Sequence, residues 1–427
     1  MKILVLSKEA WRADENGGNV LSNIFSRFDA EFAQVYCMDA LPDNKVCKRY
    51  YQMTDKMMVD NIVKHKKTGR IIEYEDFPEY HKHEEEAFSS VRRIHWIGVQ
   101  IAREIVWKMA RWNNDSLKSF VQNFNPDVIF APCYGTHYII RLTHIVKSYC
   151  NVPILSYISD DFYTNNQRRI SPLYWINHFI LRSHVRKVFK LYSLIYTMTD
   201  EQKEQCERDF GAKMRILRKS GNFEYSREKT IVGNPIRLIY AGSLYVNRWK
   251  TLISLVQAIR KINSESVRMT LDIYTSYELG EEARTILNDG INSRVHSPVS
   301  MDELWKLYAG SDIALHVESF DRKFAKMVRM SFSTKIVDCL DSGCAVMAIC
   351  DKSQAGLSYL KKHNAAFCVT SEQEIEPCLR DILDNPNLVV DFQKKAFVLG
   401  RNSHNAEKIH EQILSDFKNA YNNESLN

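Results

Sequence analysis

Short apolar runs recur along the chain, each beside a longer stretch in which apolar positions return at helical spacing. A run too short for a helix and apolar on both faces reads as a buried strand, and its alternation with helical pattern marks βαβ units and parallel sheets. In the first half this predicts strands at 3–6, 128–130, 154–157, 194–197 and 214–217, with a loop through Gly17-Gly18 and a helix near 20–28. Two stretches interrupt the rhythm: residues 45–90, polar and charged, and residues 172–190, basic and aromatic. Residues 219–235 have no period and read as a linker. Beyond them the pattern resumes, with strands at 238–241, 271–274, 313–316 and 345–349 and helices at 249–262, 281–287, 301–309 and 334–340. Helices then run to about Tyr421.

Two α/β series joined by a linker predict two domains, and 427 residues exceed one ordinary core. The expected division is an α/β domain over 1–225 with helical insertions, a second α/β domain over 236–400, and a final helix within 401–427 packing back on the first. In open sheets of this kind, ligands bind beyond the carboxyl ends of the strands, where strand order reverses. Composition adds limits. A hydrophobic share of 45% with 26% charged residues excludes wholesale disorder. A net charge of +6, from 58 basic and 52 acidic residues, does not call for nucleic acid. None of the ten cysteines forms a C-x-x-C pair, which removes zinc-ribbon and thioredoxin readings, and several sit in apolar runs. A reducing, cytoplasmic setting is expected. The start, Met1 to Leu6, is too short for a signal peptide, and no apolar run approaches the roughly 18 residues of a membrane span.

Two segments of the second half carry candidate chemistry. In Ile239-Tyr240-Ala241-Gly242-Ser243-Leu244-Tyr245-Val246-Asn247-Arg248-Trp249-Lys250, a strand ends at Gly242 and a helix begins near Trp249. Glycine admits close backbone approach, and a helix start flanked by Arg248 and Lys250 favours an anion such as a diphosphate. A plain strand-to-helix turn with two solvated cations has the same sequence. In Ser331-Phe332-Ser333-Thr334-Lys335-Ile336-Val337-Asp338-Cys339-Leu340-Asp341-Ser342-Gly343, Ser333, Thr334 and Lys335 open a helix and Asp338 follows one turn later. Amides at a helix start suit phosphate oxygens, and a carboxylate can accept two ribose hydroxyls. The alternative is a serine-capped helix whose Asp338 is solvated.

These residues resemble the family 4 glycosyltransferases of the GT-B fold, an α/β architecture of two Rossmann-like domains facing each other across a cleft. The resemblance covers most of the second half and, more thinly, the first. It implies that Gly242 and Arg248 hold the donor diphosphate. The family's other basic position falls on Ser243, which leaves Lys250 as a substitute. Of the family's two glutamates separated by seven residues, the second falls on Asp338 and the first on Met330, which cannot bond a sugar hydroxyl. Glu318 lies after a strand and is a candidate replacement, with pairing to a neighbour such as Arg322 as the alternative. The S-x-K-x-x-(D/E)-x-L-x-S-G form is similar to that of bacterial surface-polysaccharide transferases.

In the first half, Gly17 and Gly18 resemble the family's first-loop Gly-Gly, whose amides approach the donor phosphate; a bare tight turn is the alternative. Ser159 falls where many members have a histidine, which leaves Asp160 or Asp161 to orient the acceptor hydroxyl or take its proton. An Asx turn fits the same pair. His137 follows another strand, as a possible sugar contact or a structural histidine, and Thr199-Asp200-Glu201 reads as a helix cap. The resemblance implies a retaining transferase that stabilises its leaving diphosphate with cations and amides, without a metal or other cofactor. No D-x-D pair occurs, and His81 and His83 among glutamates fit a solvated helix face better than a metal site.

Residues 173–190 and 92–112 combine aromatics with cations, as a helix lying at the inner face of a membrane does and as an amphipathic core helix also does. The expected partners are a nucleotide sugar as co-substrate and a glycan or lipid-linked acceptor, with peripheral membrane contact and no nucleic acid. The competing functions are a nucleotide-sugar epimerase of the same plan and a non-catalytic nucleotide-sugar-binding scaffold.

Overall fold

The computed structural model describes residues 1–12, 16–73, 97–165, 171–223 and 231–422, with backbone alone at 16–19 and 97. His81, His83 and Trp96 lie outside them. The chain forms two compact units: Met1–Met198 with Gln202–Leu217 and His410–Asn427, and Arg218–Ile409 with Thr199–Glu201.

The first unit runs β1 (Lys2–Ser7), α1 (Asn16–Phe25), β2 (Glu31–Tyr36), β3 (Arg49–Gln52), α2 (Asp55–Lys64), β4 (Arg70–Glu73), α3 (Ile97–Met109), α4 (Asp115–Phe124), β5 (Val128–Phe130), α5 (His137–Tyr149), β6 (Ile154–Ile158), α6 (Pro172–Phe189), β7 (Tyr192–Thr197), α7 (Asp200–Phe210) and β8 (Met214–Ile216). Its sheet has the order β4-β3-β2-β1-β5-β6-β7-β8, parallel except for the β3–β4 pair. Ile3, Leu4, Val5, Val128, Ile129 and Phe130 are fully buried, as strands covered on both faces require.

Both interruptions prove to be structured. The polar stretch 45–90 contains β3, α2 and the edge strand β4, and residues 172–189 are one helix. Ser171 caps that helix through the N–H of Tyr174, and Pro172 sits at its first position, where a missing N–H costs nothing. Strand β2 went unread, helix α3 falls within the 92–112 stretch read as an amphipathic helix, and Gly17 and Gly18 lie in the first turn of α1 and not in a loop before it.

The second unit continues with β9 (Ile236–Ala241), α8 (Arg248–Ile262), β10 (Met269–Tyr274), α9 (Glu281–Leu287), β11 (Ser293–His296), α10 (Met301–Ala309), β12 (Ile313–Val317), α11 (Arg322–Val328), α12 (Thr334–Asp341), β13 (Ala345–Ile349), α13 (Ala355–Lys362), β14 (Phe367–Val369), α14 (Ile375–Asp384) and α15 (Asn387–Ser403). The sheet is parallel throughout, in the order β11-β10-β9-β12-β13-β14. A last helix, α16 (Ala406–Tyr421), carries the chain into the residues that cluster with the first unit. There Phe417 meets the rings of Phe25, Phe28 and Phe130, and Asp416 accepts the Tyr196 hydroxyl at 2.8 Å. Among the described residues no helix is long and apolar enough to cross a membrane.

Candidate functional site

In the second unit β9 has β10 on one side and β12 on the other, so strand order reverses there. Side chains from β9, α8, the end of β12 and α12 gather at this point. Gly242 follows β9 with a φ of 147°, and a Cβ placed on it would stand 1.9 Å from Lys335 Nζ. Glycine is therefore needed twice, for its backbone angle and for the ammonium that fills the space of a side chain. Lys335 Nζ donates to the Tyr240 hydroxyl at 3.1 Å and lies 4.8 Å from the centre of that ring. Burial, and then the neighbouring Arg248 charge, pulls its pKa down to about 8.

Arg248 opens α8 and is held by Glu318. Its Nε and Nη2 donate to the two carboxylate oxygens, each at 2.8 Å, and Nη1 reaches the Ser243 carbonyl at 3.3 Å. The partner of Glu318 is thus Arg248 and not Arg322. Lys250 pairs instead with Asp321 at 3.3 Å in an exposed position, so the second cation against Gly242 is Lys335. In the intervening loop, Val246 and Asn247 take positive φ values of 57° and 62°. A branched residue seldom adopts this conformation, and such strain persists only where its surroundings enforce it. The Asn247 amide donates to Asp321 at 2.6 Å, and Thr251 donates to the Glu318 carbonyl at 2.9 Å.

Helix α12 begins without a side-chain cap, for Ser333 is extended and its hydroxyl makes no capping bond. The serine-capped alternative is therefore not the one adopted. The first-turn N–H groups, with Thr334 exposed beside them and Lys335 next in line, form a corner that suits an anion. Asp338, one turn on, accepts a bond from the Lys219 ammonium. Met330, at the missing acidic position, is buried, and its carbonyl accepts the Thr199 hydroxyl at 3.1 Å.

Three residues of this site escaped the sequence reading. Tyr240 supports Lys335, and Lys219 sits in a stretch read as linker. His316, buried on β12, has an Nδ1 with no hydrogen-bond partner among the described residues, and burial lowers its pKa to about 4. Their place as polar-tipped residues inside otherwise apolar strands offered a signal for Tyr240 and His316. Lys219 offered none, since its partner is 119 residues away.

The first unit has its own reversal point, with β1 between β2 and β5. A cavity of about 720 Å³ opens at the carboxyl ends of β1, β5 and β6, lined by Lys8, Glu9, Tyr134, His137, Ser159 and Asp160 among others. The acidic pair divides here. Asp160 lines the cavity, with the Ser159 hydroxyl 3.4 Å from its carboxylate. Asp161 turns instead to Thr164, accepting its N–H at 3.1 Å and its hydroxyl at 2.6 Å, a local bond three residues along the chain. His137 is the first residue of α5. Its N–H and that of Tyr138 bond the two oxygens of Glu104 at 2.9 and 3.1 Å, a carboxylate at a helix N-terminus. The imidazole is not solitary, with Asn177 Oδ1 at 3.1 Å on one nitrogen and His184 Nδ1 at 2.9 Å on the other. Burial lowers the pKa of both histidines. Val20 and Leu21 of α1 also line the cavity, just beyond the turn that holds Gly17 and Gly18. Among the described residues, no three His, Cys, Asp or Glu side chains are grouped as a metal ion would need.

Residues 248–415 match a family model described as glycosyl transferase-like. Solved structures match nearly the whole chain. The fold is GT-B. Sucrose-phosphate synthase from Thermosynechococcus elongatus superposes with a TM-score of 0.62 at 11% identity, covering 99% of each chain. Anabaena HepE in complex with UDP and glucose gives 0.59 at 13%, covering 98% of this chain and 99% of that one. The E. coli trehalose-6-phosphate protein bound with UDP-2-fluoro glucose gives 0.62 at 10%, with the same coverage. No curated protein matches the chain by sequence.

Proposed function

We propose that the chain is a glycosyltransferase that moves a sugar from a UDP-sugar to a glycan or lipid-linked acceptor. The observation that carries this reading is the corner at Gly242. There a half-buried lysine of lowered pKa, an arginine and an uncapped helix start converge at the reversal point of a GT-B sheet. Such a corner supplies what a departing diphosphate needs, namely fixed positive charge and N–H groups that need no reorganisation. Its charge comes from side chains, which supports metal-independent transfer. The UDP and UDP-sugar complexes of the structural neighbours favour uridine as the base.

In this reading Lys335 and Arg248 bind the diphosphate, Gly242 gives them access, and Asp338 takes the ribose while sharing its carboxylate with Lys219. Asp160 faces the acceptor hydroxyl from the cavity of the first unit. Glu318 is a positioning residue for Arg248, because both its oxygens are engaged there. Retention of configuration and a place in surface-polysaccharide synthesis follow from the family resemblance. Peripheral membrane contact is supported by the exposed Leu173, Ile176 and Phe179 of α6, a helix whose last turn carries Arg186 and Lys187.

One observation favours a second reading, a sugar-nucleotide-binding scaffold: Met330 is a packed residue at the position of the missing glutamate. Product analysis with UDP-glucose, UDP-galactose and UDP-N-acetylglucosamine, each with and without a panel of glycan and lipid-phosphate acceptors, separates the possibilities. Acceptor-dependent transfer with release of UDP is the expected result. Conversion of the donor alone would identify an epimerase, and binding without turnover across the panel would identify the scaffold.

A further inference from the structure

The polar cavity of the first unit has an apolar neighbour. A groove of about 560 Å³ runs between α3, α5 and α6, and Glu104, His137, Tyr138 and Asn177 line both spaces. Away from that common wall the groove presents Ile101 and Ile105 from α3, Ile140 from α5 and Ile180 from α6, with basic and histidine side chains among them. Ile105 is 52% exposed and Ile180 48%, and Phe179, 56% exposed, extends the apolar surface along α6. Large aliphatic side chains this open are individually ordinary, but grouped in a groove beside a polar cavity they mark a binding surface.

The charge of the groove is one-sided. Lys108 and Lys187, both exposed, line it together with Arg141, His144 and His184. Its one acid, Glu104, already accepts two helix N–H groups. The whole of α6 contains no Asp or Glu. An occupant should therefore be apolar along its length, anionic near one end, and joined to something polar enough for the cavity beyond His137.

We infer that this groove takes the hydrocarbon chain of a phosphate-bearing lipid acceptor, whose polar head occupies the cavity lined by Asp160. The word acceptor rests on the glycosyltransferase reading; the groove's affinity for an alkyl phosphate does not. Lys108 and Lys187 attract the phosphate, and the isoleucines shield the chain from water. His137 and Asn177 stand where the apolar and polar parts of the ligand meet.

Calorimetry on the full chain tests this with dodecyl phosphate below its micelle concentration, butyl phosphate, inorganic phosphate and phosphatidylglycerol vesicles. Dodecyl phosphate should bind saturably, one per chain, and at least about tenfold more tightly than butyl phosphate, because the longer chain removes more methylene groups from water. Ile105→Asn and Ile180→Asn, on separate helices and at exposed positions, should each weaken dodecyl phosphate by about tenfold or more. UDP affinity and the unfolding midpoint should stay unchanged in both. Equal affinity for the two alkyl phosphates, or no effect of either variant, overturns the proposal. Binding to vesicles without binding to monomeric dodecyl phosphate also overturns it, in favour of simple adsorption to a membrane. If dodecyl phosphate binds as expected but UDP does not, the groove stands and the glycosyltransferase reading fails. If UDP binds and dodecyl phosphate does not, the groove alone fails.

Discussion

Lys335 shows how packing against neighbours shifts a single cation at some expense of stability. Its ammonium is buried against Gly242 and Tyr240, which lowers its pKa to about 8 from 10.5. A bound diphosphate would hold the proton on, so UDP affinity should fall as pH rises past about 8, by up to about tenfold per unit. Lys335→Met should abolish that dependence, and titrations of both proteins by calorimetry across pH 7 to 9 (roughly the window the shift defines) would show it. The stability effect has a definite sign. The unfolded lysine stays protonated up to its ordinary value, so the burial penalty is fully present below about 8 and is relieved as pH climbs towards 10.5. Lys335→Met should accordingly raise the unfolding midpoint of the ligand-free protein at neutral pH, by roughly 2–4 °C for each kcal/mol relieved. A lower midpoint would mean that the ammonium is better solvated than its position against Gly242 implies.

Glu318 is the converse case. Its removal leaves the Arg248 guanidinium without its partner in a site where both side chains are largely buried, so Glu318→Gln should destabilise by about 3 kcal/mol in urea unfolding. Affinities for UDP and UDP-glucose should change by the same factor. A loss confined to UDP-glucose would instead make Glu318 a sugar contact. At this scale the types of residue were legible, since glycine, lysine and aspartate stand at recognisable spacing. Their partners were not, because the Arg248–Glu318 pair spans 70 residues and the Lys219–Asp338 pair spans 119.

At the scale of elements, the β9–α8 connection combines three positive φ values with the Lys335 ammonium set against Gly242. Gly242→Ala places a methyl group on the Lys335 ammonium and a side chain at a φ of 147°, so Lys335 must move. The variant should retain its fold, since the strand and helix on either side are anchored in the core, yet lose at least about tenfold in UDP affinity, the equivalent of one charge-assisted contact. Unchanged UDP affinity would show that Lys335 does not need its present place. The buried strands of both sheets were legible because a parallel sheet covered on both faces leaves continuous apolar runs. Strand β3 and edge strand β4 were not, since the sequence between Arg49 and Glu73 is charged and Ile71 is 52% exposed. Only pairing in register, Tyr51 with Val35 and with Ile71, makes strands of them. Helix α6 was legible as an amphipathic helix, and Leu181, Val185 and Val188 form its buried stripe at helical spacing.

For the whole molecule, the last helix decides which residues complete the first unit. Phe417 is fully buried among Phe25, Phe28 and Phe130, and Asp416 holds both Tyr196 and Arg215. Phe417→Ala should cost about 3–5 kcal/mol in denaturant unfolding. A cost near zero would show that α16 adds little to that core. The two-unit plan was visible as two α/β series, because periodicity survives in any sequence that must bury strands. The split between cavity-lining Asp160 and turn-forming Asp161 was not visible, since two adjacent aspartates after a strand fit either role until Thr164 claims one.

The central claim is that Gly242, Arg248 and Lys335 form a diphosphate site in a GT-B transferase. Calorimetry of UDP against the wild-type chain and against Lys335→Ala and Arg248→Ala tests it most directly. The account predicts stoichiometric binding to the wild type and a loss of roughly 1.5–3 kcal/mol in each variant, as expected for one charge-assisted contact to a shielded phosphate. UDP affinity left intact by both substitutions would contradict it.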